Sequence, residues 1–378
     1  MLRLSIVLML AVVTLSSAQS LGNNAYSVSV NVELVQLPVS VLDKYGFPVR
    51  GLREQDFAVY EDKVLQDITL FKQEDIPLSV VLVVDTSSSM FNKLRRVNSA
   101  ALTFVRESNP EDETAIVTFG STVRLDQPFT ANTNELRQTL AGIVPNGYTA
   151  LYDAVFQAAE YLKGVGSQEK KVLLIISDGE DNRSKYRLKE VLEVIRESKI
   201  IVYSIGLLKD FSYSPYVTYA DDGKRALKQL AEVTGGAAFF PNGVDQVEQV
   251  CERIARDLRN QYTIGYKPRN EKLDGSWRKV IVRVNPSQTV PKVKVRTKQG
   301  LLRAPGQGSN AHITSKGQVS TSQQQVKLQE NMKCIESLLS GESSGTLSQL
   351  IATTKVDWHH ERERFEPEKG ARAAKMPG

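Results

Sequence analysis

The sequence predicts a doubly wound α/β domain with a mostly parallel sheet, inserted in a small β-sandwich. From Leu78 onwards, apolar runs of strand length alternate with helical stretches, a pattern that favours parallel strands covered by helices on both faces. Segments of period-two alternation lie before and after this region, as expected for antiparallel strands. With 378 residues, of which 41% are hydrophobic and 24% charged, the chain is long enough for two or more cored domains.

The α/β domain is predicted to cover residues 77–258. Its strands are Leu78–Val84, Thr114–Phe119, Lys171–Ile176, Ile200–Ile205 and Ala237–Phe240, with a short antiparallel edge strand at Thr122–Leu125. Its helices are Lys93–Glu107, Asn134–Ile143, Ala150–Leu162, Leu188–Ser198, Lys224–Val233 and Val244–Leu258.

The flanking segments, residues 26–76 and 259–303, are predicted to form β-strands. Apolar and polar residues alternate from Tyr26, and the phase changes at Val35, as a β-bulge or a strand that switches sheets would require. Because an isolated two- or three-stranded piece is marginally stable, we expect the two segments to pair into one sandwich. Two separate β modules are the alternative.

Turn signals predict two hairpins in these flanks. The first joins Phe57–Tyr60 to Ile68–Phe71 through a turn at Glu61-Asp62-Lys63, and the second turns at Asp274-Gly275.

The two ends of the chain are predicted to lie outside these folded parts. Residues 1–18 have the pattern of a signal peptide: Arg3, an apolar core too short for a mature transmembrane helix, and Ser16-Ser17-Ala18. We therefore expect cleavage after Ala18 and a secreted or periplasmic protein without stable membrane insertion, with an N-terminal anchor as the alternative. Residues 304–378, rich in Gln, Ser and Gly, are predicted to be a mostly disordered tail.

Charge and cysteine content narrow the class of protein. A net charge of +5 does not by itself indicate a nucleic-acid or membrane ligand, and no nucleic-acid partner is predicted. Cys251 and Cys334 are distant in sequence and are expected to be free thiols.

Residues 275–329 contain several bases and no acid. We interpret them as the solvated face of edge strands, with contact to an acidic polymer or an anionic surface as the alternative.

The end of the first α/β strand carries the most informative residues. Leu78–Val84 runs directly into a loop that places one carboxylate and two hydroxyls at alternate positions, Asp85, Ser87 and Ser89. Small hard oxygen ligands in a tight loop suit a small hard cation. Because Ser and Asp also favour helix N-caps, a capped turn is the alternative.

Two further loops are expected at the same edge of the sheet, where a doubly wound fold binds its ligands. Thr149 precedes the helix Ala150–Leu162, and Asp178 follows the strand Lys171–Ile176. Two carboxylates formally neutralise a divalent cation, and about six oxygens surround Mg²⁺, so at least one position stays open for water or a partner's carboxylate. Helix capping by Thr149 and turn formation by Asp178 are the alternatives. The neighbouring acids, Asp153, Glu180 and Asp181, are interpreted mainly as solvated or supporting residues.

Together, Asp85-x-Ser87-x-Ser89, Thr149 and the Ser177-Asp178-Gly179 turn resemble the metal-ion-dependent adhesion site of von Willebrand factor A domains. The resemblance implies a Rossmann-like fold that binds protein partners through a metal ion. It also implies that Asp85, Ser87, Ser89 and Thr149 coordinate the ion, and that Asp178 acts directly or through water. Mg²⁺ is the expected ion, with Mn²⁺ and Ca²⁺ as alternatives. Tyr148 stands where many family members have Gly.

The flanks extend this resemblance to the secreted bacterial proteins called VWFA-related. The matching stretches are Phe57-Ala58-Val59-Tyr60-Glu61-Asp62, Tyr262-Thr263-Ile264-Gly265-Tyr266-Lys267-Pro268 and Asp274-Gly275-Ser276-Trp277-Arg278-Lys279.

We therefore expect an exported, metal-dependent protein-binding module whose ion is completed by an Asp or Glu of a partner protein.

An enzyme is not expected, because all three histidines, His312, His359 and His360, lie outside the α/β domain. His359-His360-Glu361 also lacks the spacing that places two imidazoles on one helical face. The alternatives are a structural or assembly protein with a vestigial site and, less favoured, a metal-dependent phosphohydrolase. Such hydrolases usually carry a second Asp at the position of Ser87.

Overall fold

The computed structural model describes residues 34–208, 217–272, 274–285 and 292–303. The first strands are β1 Val35–Leu42, β2 Phe57–Glu61, β3 Val64–Gln66 and β4 Ile68–Lys72. The central strands are β5 Leu78–Asp85, β6 Glu113–Phe119, β7 Val123–Thr130, β8 Lys170–Ser177, β9 Ile200–Gly206 and β10 Ala238–Phe239. The last strands are β11 Tyr262–Tyr266, β12 Trp277–Val284, β13 Lys294–Arg296 and β14 Gly300–Leu302. The helices are α1 Leu94–Glu107, α2 Thr133–Gly142, α3 Leu151–Val165, α4 Leu188–Glu197, α5 Val217–Glu232 and α6 Val247–Leu258.

The central sheet has six strands in the order β10-β9-β8-β5-β6-β7. Its neighbours are parallel except for the edge strand β7, which is antiparallel to β6, as the sequence predicted. Every residue of β5 is buried, because helices cover both faces of the sheet. One core lies against α1, α2 and α6, and the other against α3, α4 and α5. The predicted α/β fold class is confirmed.

Two helices begin more than one residue away from their predicted start. Helix α5 begins at Val217, seven residues before the predicted Lys224. The predicted helix from Val244 starts as a 3₁₀ turn over Val244–Gln246 and becomes α-helical at Val247.

The flanking strands form two four-stranded sheets, β13-β1-β11-β4 and β14-β12-β2-β3. Strands from before and after the α/β region pair directly, since β1 is antiparallel to β11 and β2 is antiparallel to β12. The two sheets share one apolar core, to which Val39, Val59, Tyr262 and Ile264 contribute fully buried side chains. The α/β region is therefore inserted in a β-sandwich.

The structure differs from both predicted hairpins. Strand β2 turns back after two residues with positive φ, Asp62 at 48° and Lys63 at 71°, and pairs with β3. The predicted return strand, Ile68–Lys72, joins β11 in the other sheet. Asp274-Gly275 precedes β12 but does not connect it to an adjacent strand, because β11 and β12 lie in different sheets. The turn is held instead by the N–H of Gly275, which donates to the carbonyl of Arg303 at 2.7 Å.

Several expectations fall outside the described residues: the signal peptide, the strand before residue 34, Cys334, the three histidines and the tail. The boundaries of the signal peptide, the domain and the tail stay predictions. Cys251 is a buried free thiol. In the described part of the chain, no helix has the length and apolar character needed to cross a membrane.

Candidate metal site

The candidate site lies where the strand order of the central sheet reverses. From β5 the chain proceeds to β6 on one side, whereas β8, β9 and β10 follow on the other side. The register aligns Val84 of β5 with Ile176 of β8, so Asp85 and Ser177 end neighbouring parallel strands. The carboxyl ends of strands at such a switch point are the usual ligand-binding edge of a doubly wound sheet.

Asp85 is fully buried and held by two hydrogen bonds. The backbone N–H of Ser87 donates to Oδ1 at 2.8 Å, and the hydroxyl of Ser177 donates to Oδ2 at 2.6 Å. The same Ser177 oxygen accepts the N–H of Gly179 at 2.9 Å. The carboxylate therefore has a fixed orientation at the strand end.

A chain of side-chain oxygens continues from the pentapeptide loop to the next strand. The hydroxyls of Ser87 and Ser89 lie 3.0 Å apart, and the Ser89 hydroxyl donates to Oδ2 of Asp178 at 2.6 Å. Ser87 and Asp178 are buried, and Ser89 is partly exposed. The structure thus brings together Asp85, Ser87, Ser89 and Asp178. Ser87, the N-cap of the following 3₁₀ turn, makes no side-chain capping hydrogen bond.

Thr149 reaches the same edge through its loop. The N–H of Asn146 donates to the carbonyl of Thr86 at 2.6 Å, and the N–H of Ser88 donates to the carbonyl of Gly147 at 3.0 Å. Thr149 itself is buried, and its N–H donates to the side chain of Asn182 at 2.9 Å. It does not cap α3, whose N-cap is Ala150 without a side-chain hydrogen bond.

The electrostatic environment of Asp85 disfavours its charged form. Burial, followed by the charge of Asp178, raises the pKa of Asp85 to about 6, although hydrogen bonds from Ser177 and Ser87 oppose the shift. Burial and a like charge act in the same direction on a carboxyl group. Two acidic groups are therefore held close together in a desolvated setting.

The nearby acids support the loop after β8. Oδ1 of Asp153 accepts the N–H groups of Lys185 and Tyr186 at 2.8 and 3.0 Å. Oδ1 of Asp181 accepts the hydroxyl of Ser184 at 2.5 Å. The bonds to Asp153 hold Lys185 and Tyr186 against the start of α3, and the bond between Ser184 and Asp181 lies within the loop.

Ser177 is the supporting residue that the sequence did not single out for a role. Its bond to Asp85 depends on the register between β5 and β8, which local sequence does not encode. A signal was nevertheless present, since Ser177 is the first polar residue after an apolar strand, as Asp85 is.

Exposed apolar side chains lie on the loops around the site. Phe91, one residue after the 3₁₀ turn that follows Ser87, is 67% exposed, and Tyr148, beside Thr149, is 63% exposed. The guanidinium of Arg183 lies 6.0 Å from the centre of the Tyr148 ring. Tyr148 therefore points to solvent, where it is available for contact.

Residues 80–180 match the family model described as the von Willebrand factor type A domain. Human inter-alpha-trypsin inhibitor heavy chain H4 is 21% identical over 206 residues, which cover 50% of this chain and 21% of that protein. The bovine protein of the same name is 23% identical over 206 residues, which cover 50% of this chain and 22% of that protein. The chain thus spans about a fifth of the length of these relatives.

Three similar solved structures illustrate the range of proteins found. A von Willebrand factor type A protein from Catenulispora acidiphila is 12% identical, with a TM-score of 0.42 and 73% of each chain covered. Proximal thread matrix protein 1 from the mussel byssus, with a zinc-occupied MIDAS motif, is 17% identical, with a TM-score of 0.42, and 52% of this chain and 49% of that chain covered. An aerotolerance-related membrane protein from Bacteroides fragilis is 16% identical, with a TM-score of 0.40, and 48% of this chain and 98% of that chain covered.

Proposed function

We propose that the von Willebrand factor type A domain of this chain is a protein-binding module that engages its partner through a divalent cation. The observation that carries this proposal is the hydrogen-bonded chain of oxygens at the strand switch point. Ser87, Ser89 and Asp178 are the proposed ligands on that chain, and Asp85 and Thr149 are the other two.

The spacing of these oxygens supports a small cation. Ligands bind Mg²⁺ at about 2.0–2.1 Å in octahedral geometry, which places adjacent oxygens about 3 Å apart. The observed separations are 3.0 Å between the Ser87 and Ser89 hydroxyls and 2.6 Å between Ser89 and Asp178. The described residues contain no cluster of three or more His, Cys, Asp or Glu side chains that could hold a metal. A cation at this edge would therefore rely on hydroxyls, which suits hard ions such as Mg²⁺, Mn²⁺ or Ca²⁺ better than a soft one.

The donor set also supports an acidic partner. Two carboxylates and three hydroxyls fill five positions, so one position of an octahedral ion is left for an outside oxygen. An Asp or Glu of a partner would supply that oxygen together with a negative charge. The exposed rings of Phe91 and Tyr148 offer apolar contacts beside such a carboxylate.

Export through the predicted signal peptide would place this site outside the cytoplasm, where adhesion-type contacts are made. The proposed role is binding and not catalysis, because the site is rich in ligand oxygens and the three histidines, His312, His359 and His360, lie outside the α/β domain in sequence. A second function, phosphohydrolysis, has no supporting observation, since Ser87 occupies the position of the second Asp.

A metal titration tests the first step of this proposal. We expect Mg²⁺ or Mn²⁺ to raise the thermal stability of the wild type, because an ion that binds only the folded state stabilises it by about 2.7 kcal/mol at a concentration 100 times its Kd. Asp85→Asn should abolish the increase. Asp112→Asn is the matched control, since Asp112 is another buried aspartate and lies outside the site. Absence of a shift in the wild type would favour a vestigial site.

A capture experiment tests the second step. Exported proteins retained by the immobilised wild type in Mg²⁺ should be lost with a chelator and with Asp85→Asn, but not with Asp112→Asn. Replacing the acidic residue of the captured partner with Ala should then abolish its binding. Binding that survives both the chelator and Asp85→Asn would contradict the proposed mode.

A further inference from the structure

A second candidate binding site is a cleft of about 950 Å³ between the β-sandwich and the last strand of the central sheet. Its walls include the turn after β1, the end of α4, the segment from α5 to β10, part of α6, and strands β12 and β13. The segments that precede β9 and β10 lie at the amino-terminal edge of the parallel strands. The cleft is therefore on the edge opposite the candidate metal site.

Positive charge dominates the lining of this cleft. Six basic side chains contribute to it: Lys44, Arg196, Arg253, Lys279, Lys294 and Arg296. Of these, Arg296 is largely buried and forms an ion pair with Asp257. In the described part of the chain, the other five have no carboxylate within ion-pair distance.

The remaining acids of the cleft are already engaged. Oδ1 of Asp43 accepts the N–H groups of Tyr45 and Phe47 at 2.9 and 2.8 Å. Glu232 forms an ion pair with Lys228 of the same helix at 3.8 Å. Against the six basic side chains the lining has three acids, Asp43, Glu232 and Asp257, so a net positive charge remains and an anionic ligand would be favoured there.

Two of the cations are held against aromatic rings. The guanidinium of Arg196 lies 4.9 Å from the centre of the Trp277 ring, and that of Arg253 lies 5.4 Å from the centre of the Phe239 ring. Such cation–π contacts restrict the side chain while leaving its N–H donors available. Both arginines are exposed, so a ligand carboxylate can reach them.

The cleft also contains two sheet edges. Strand β10 is the end strand of the central sheet, and β13 is the end strand of one sandwich sheet. Both strands line the cleft. An edge strand presents backbone N–H and C=O groups on its open side, and an extended peptide can pair with them.

We infer that this cleft binds an extended acidic peptide segment of a partner protein. Carboxylates of the peptide pair with Arg196, Arg253 and the cleft lysines, and its backbone pairs with an edge strand. This assignment also gives a role to the acid-free region after Gly275, because Lys279, Lys294 and Arg296 belong to it. An acidic polysaccharide would use the same cations but not the strand edges.

Fluorescence anisotropy with a labelled hexaglutamate peptide tests this inference on the full chain. EDTA is present throughout, so that carboxylate binding at the metal site cannot contribute. We expect saturable binding that Arg196→Gln/Arg253→Gln weakens roughly fivefold or more, since each exposed cation contributes modestly. Lys279→Gln/Lys294→Gln, which alters exposed side chains of β12 and β13, should act in the same direction. Arg137→Gln/Lys189→Gln removes the same charge from exposed positions outside the cleft and should leave binding within about twofold of wild type.

Two further probes separate the peptide from other anions. A hexaglutamate with alternate backbone nitrogens methylated should bind more weakly, because it cannot complete a strand pairing. A galacturonate oligomer of similar charge should also bind more weakly. Equal losses in the cleft and control variants, no hexaglutamate binding, or tighter binding of the galacturonate oligomer would each overturn the inference.

Discussion

The hydroxyl of Ser177 donates a 2.6 Å hydrogen bond to Oδ2 of Asp85, so the ends of β8 and β5 are joined at the candidate metal site. The same oxygen accepts the N–H of Gly179, which begins the turn after Asp178. One buried hydroxyl therefore fixes the orientation of the first proposed ligand and the path of the loop that carries the last.

Ser177→Ala should lower both stability and divalent-ion affinity. It removes a hydrogen bond to a carboxylate, which contributes about 1.5–3 kcal/mol, and it leaves the N–H of Gly179 without its acceptor. Urea unfolding and Mg²⁺ titration would measure the two effects. Ser204→Ala is the control, because the Ser204 hydroxyl is also buried but donates to the carbonyl of Leu227. It should lower stability only, and equal ion affinities for the two variants would contradict the role of Ser177.

Gly223→Ala should destabilise the protein, although alanine is normally the better helix former. A Cβ added at Gly223 of α5 would lie 2.8 Å from the backbone of Gly179, which has a positive φ of 82° and follows Asp178. The neighbouring backbone would have to move, and the loop that carries Asp178 would move with it. Gly164 of α3 has open space around its Cβ position. Gly164→Ala should therefore stabilise by about 0.5–1 kcal/mol, and chemical denaturation of both variants would reveal the opposite signs.

The candidate site could be predicted from sequence because its members follow recognisable strands and loops. Asp85, Ser87 and Ser89 come directly after an apolar strand, and carboxyl ends of parallel strands converge on one edge. The bond from Ser177 to Asp85 could not be predicted, because it depends on the register of two strands that are 92 residues apart.

In the sandwich, too, the local sequence predicts turns, but it does not predict which strands pair. The turn at Asp62-Lys63 was visible in sequence, but its return strand was not, because β3 is short and β4 pairs with β11 in the other sheet. The run of bases after Gly275 predicts solvated side chains. Arg296 of this run is only 12% exposed, because Asp257, 39 residues earlier in sequence, faces it in the fold.

The contribution of Asp112 to stability should depend on pH. Burial raises the pKa of Asp112 to about 6, although hydrogen bonds from the backbone of Leu78 and Asn109 oppose the shift, and the charges of Asp75 and Arg259 have smaller opposite effects. Between this value and the ordinary pKa of about 3.9, the folded state binds more protons than the unfolded state. The free energy of unfolding therefore falls as pH rises through this window.

Comparison with Asp112→Asn isolates this contribution. The unfolding free energy of the wild type minus that of the variant should fall by roughly 1–3 kcal/mol between pH 4 and pH 7. Glu193→Gln, which removes a carboxylate from an exposed position, is measured alongside as the control. Urea denaturation at several pH values measures both, and a flat profile for Asp112→Asn would contradict the assignment.

The ion pair between Asp257 and Arg296 should be one of the most costly contacts to break. Oδ2 of Asp257, near the end of α6, accepts the hydroxyl of Tyr203 at 2.5 Å and pairs with Arg296 of β13. The side chains of Asp257 and Arg296 are only 4% and 12% exposed. Asp257→Asn leaves the guanidinium charge without its counter-charge and should cost about 3–5 kcal/mol in urea unfolding.

A double substitution distinguishes two effects on stability: the cost of leaving one buried charge unpaired, and the net contribution of the intact ion pair. Replacing a buried ion pair by apolar residues of similar volume is often neutral, because two charges no longer need to be desolvated. Asp257→Leu/Arg296→Met should therefore be more stable than Asp257→Asn. The exposed pair Glu160–Lys163 provides the comparison, and Glu160→Gln should cost less than about 1 kcal/mol. If Asp257→Asn costs no more than Glu160→Gln, the buried pair does not stabilise the contact between α6 and the sandwich.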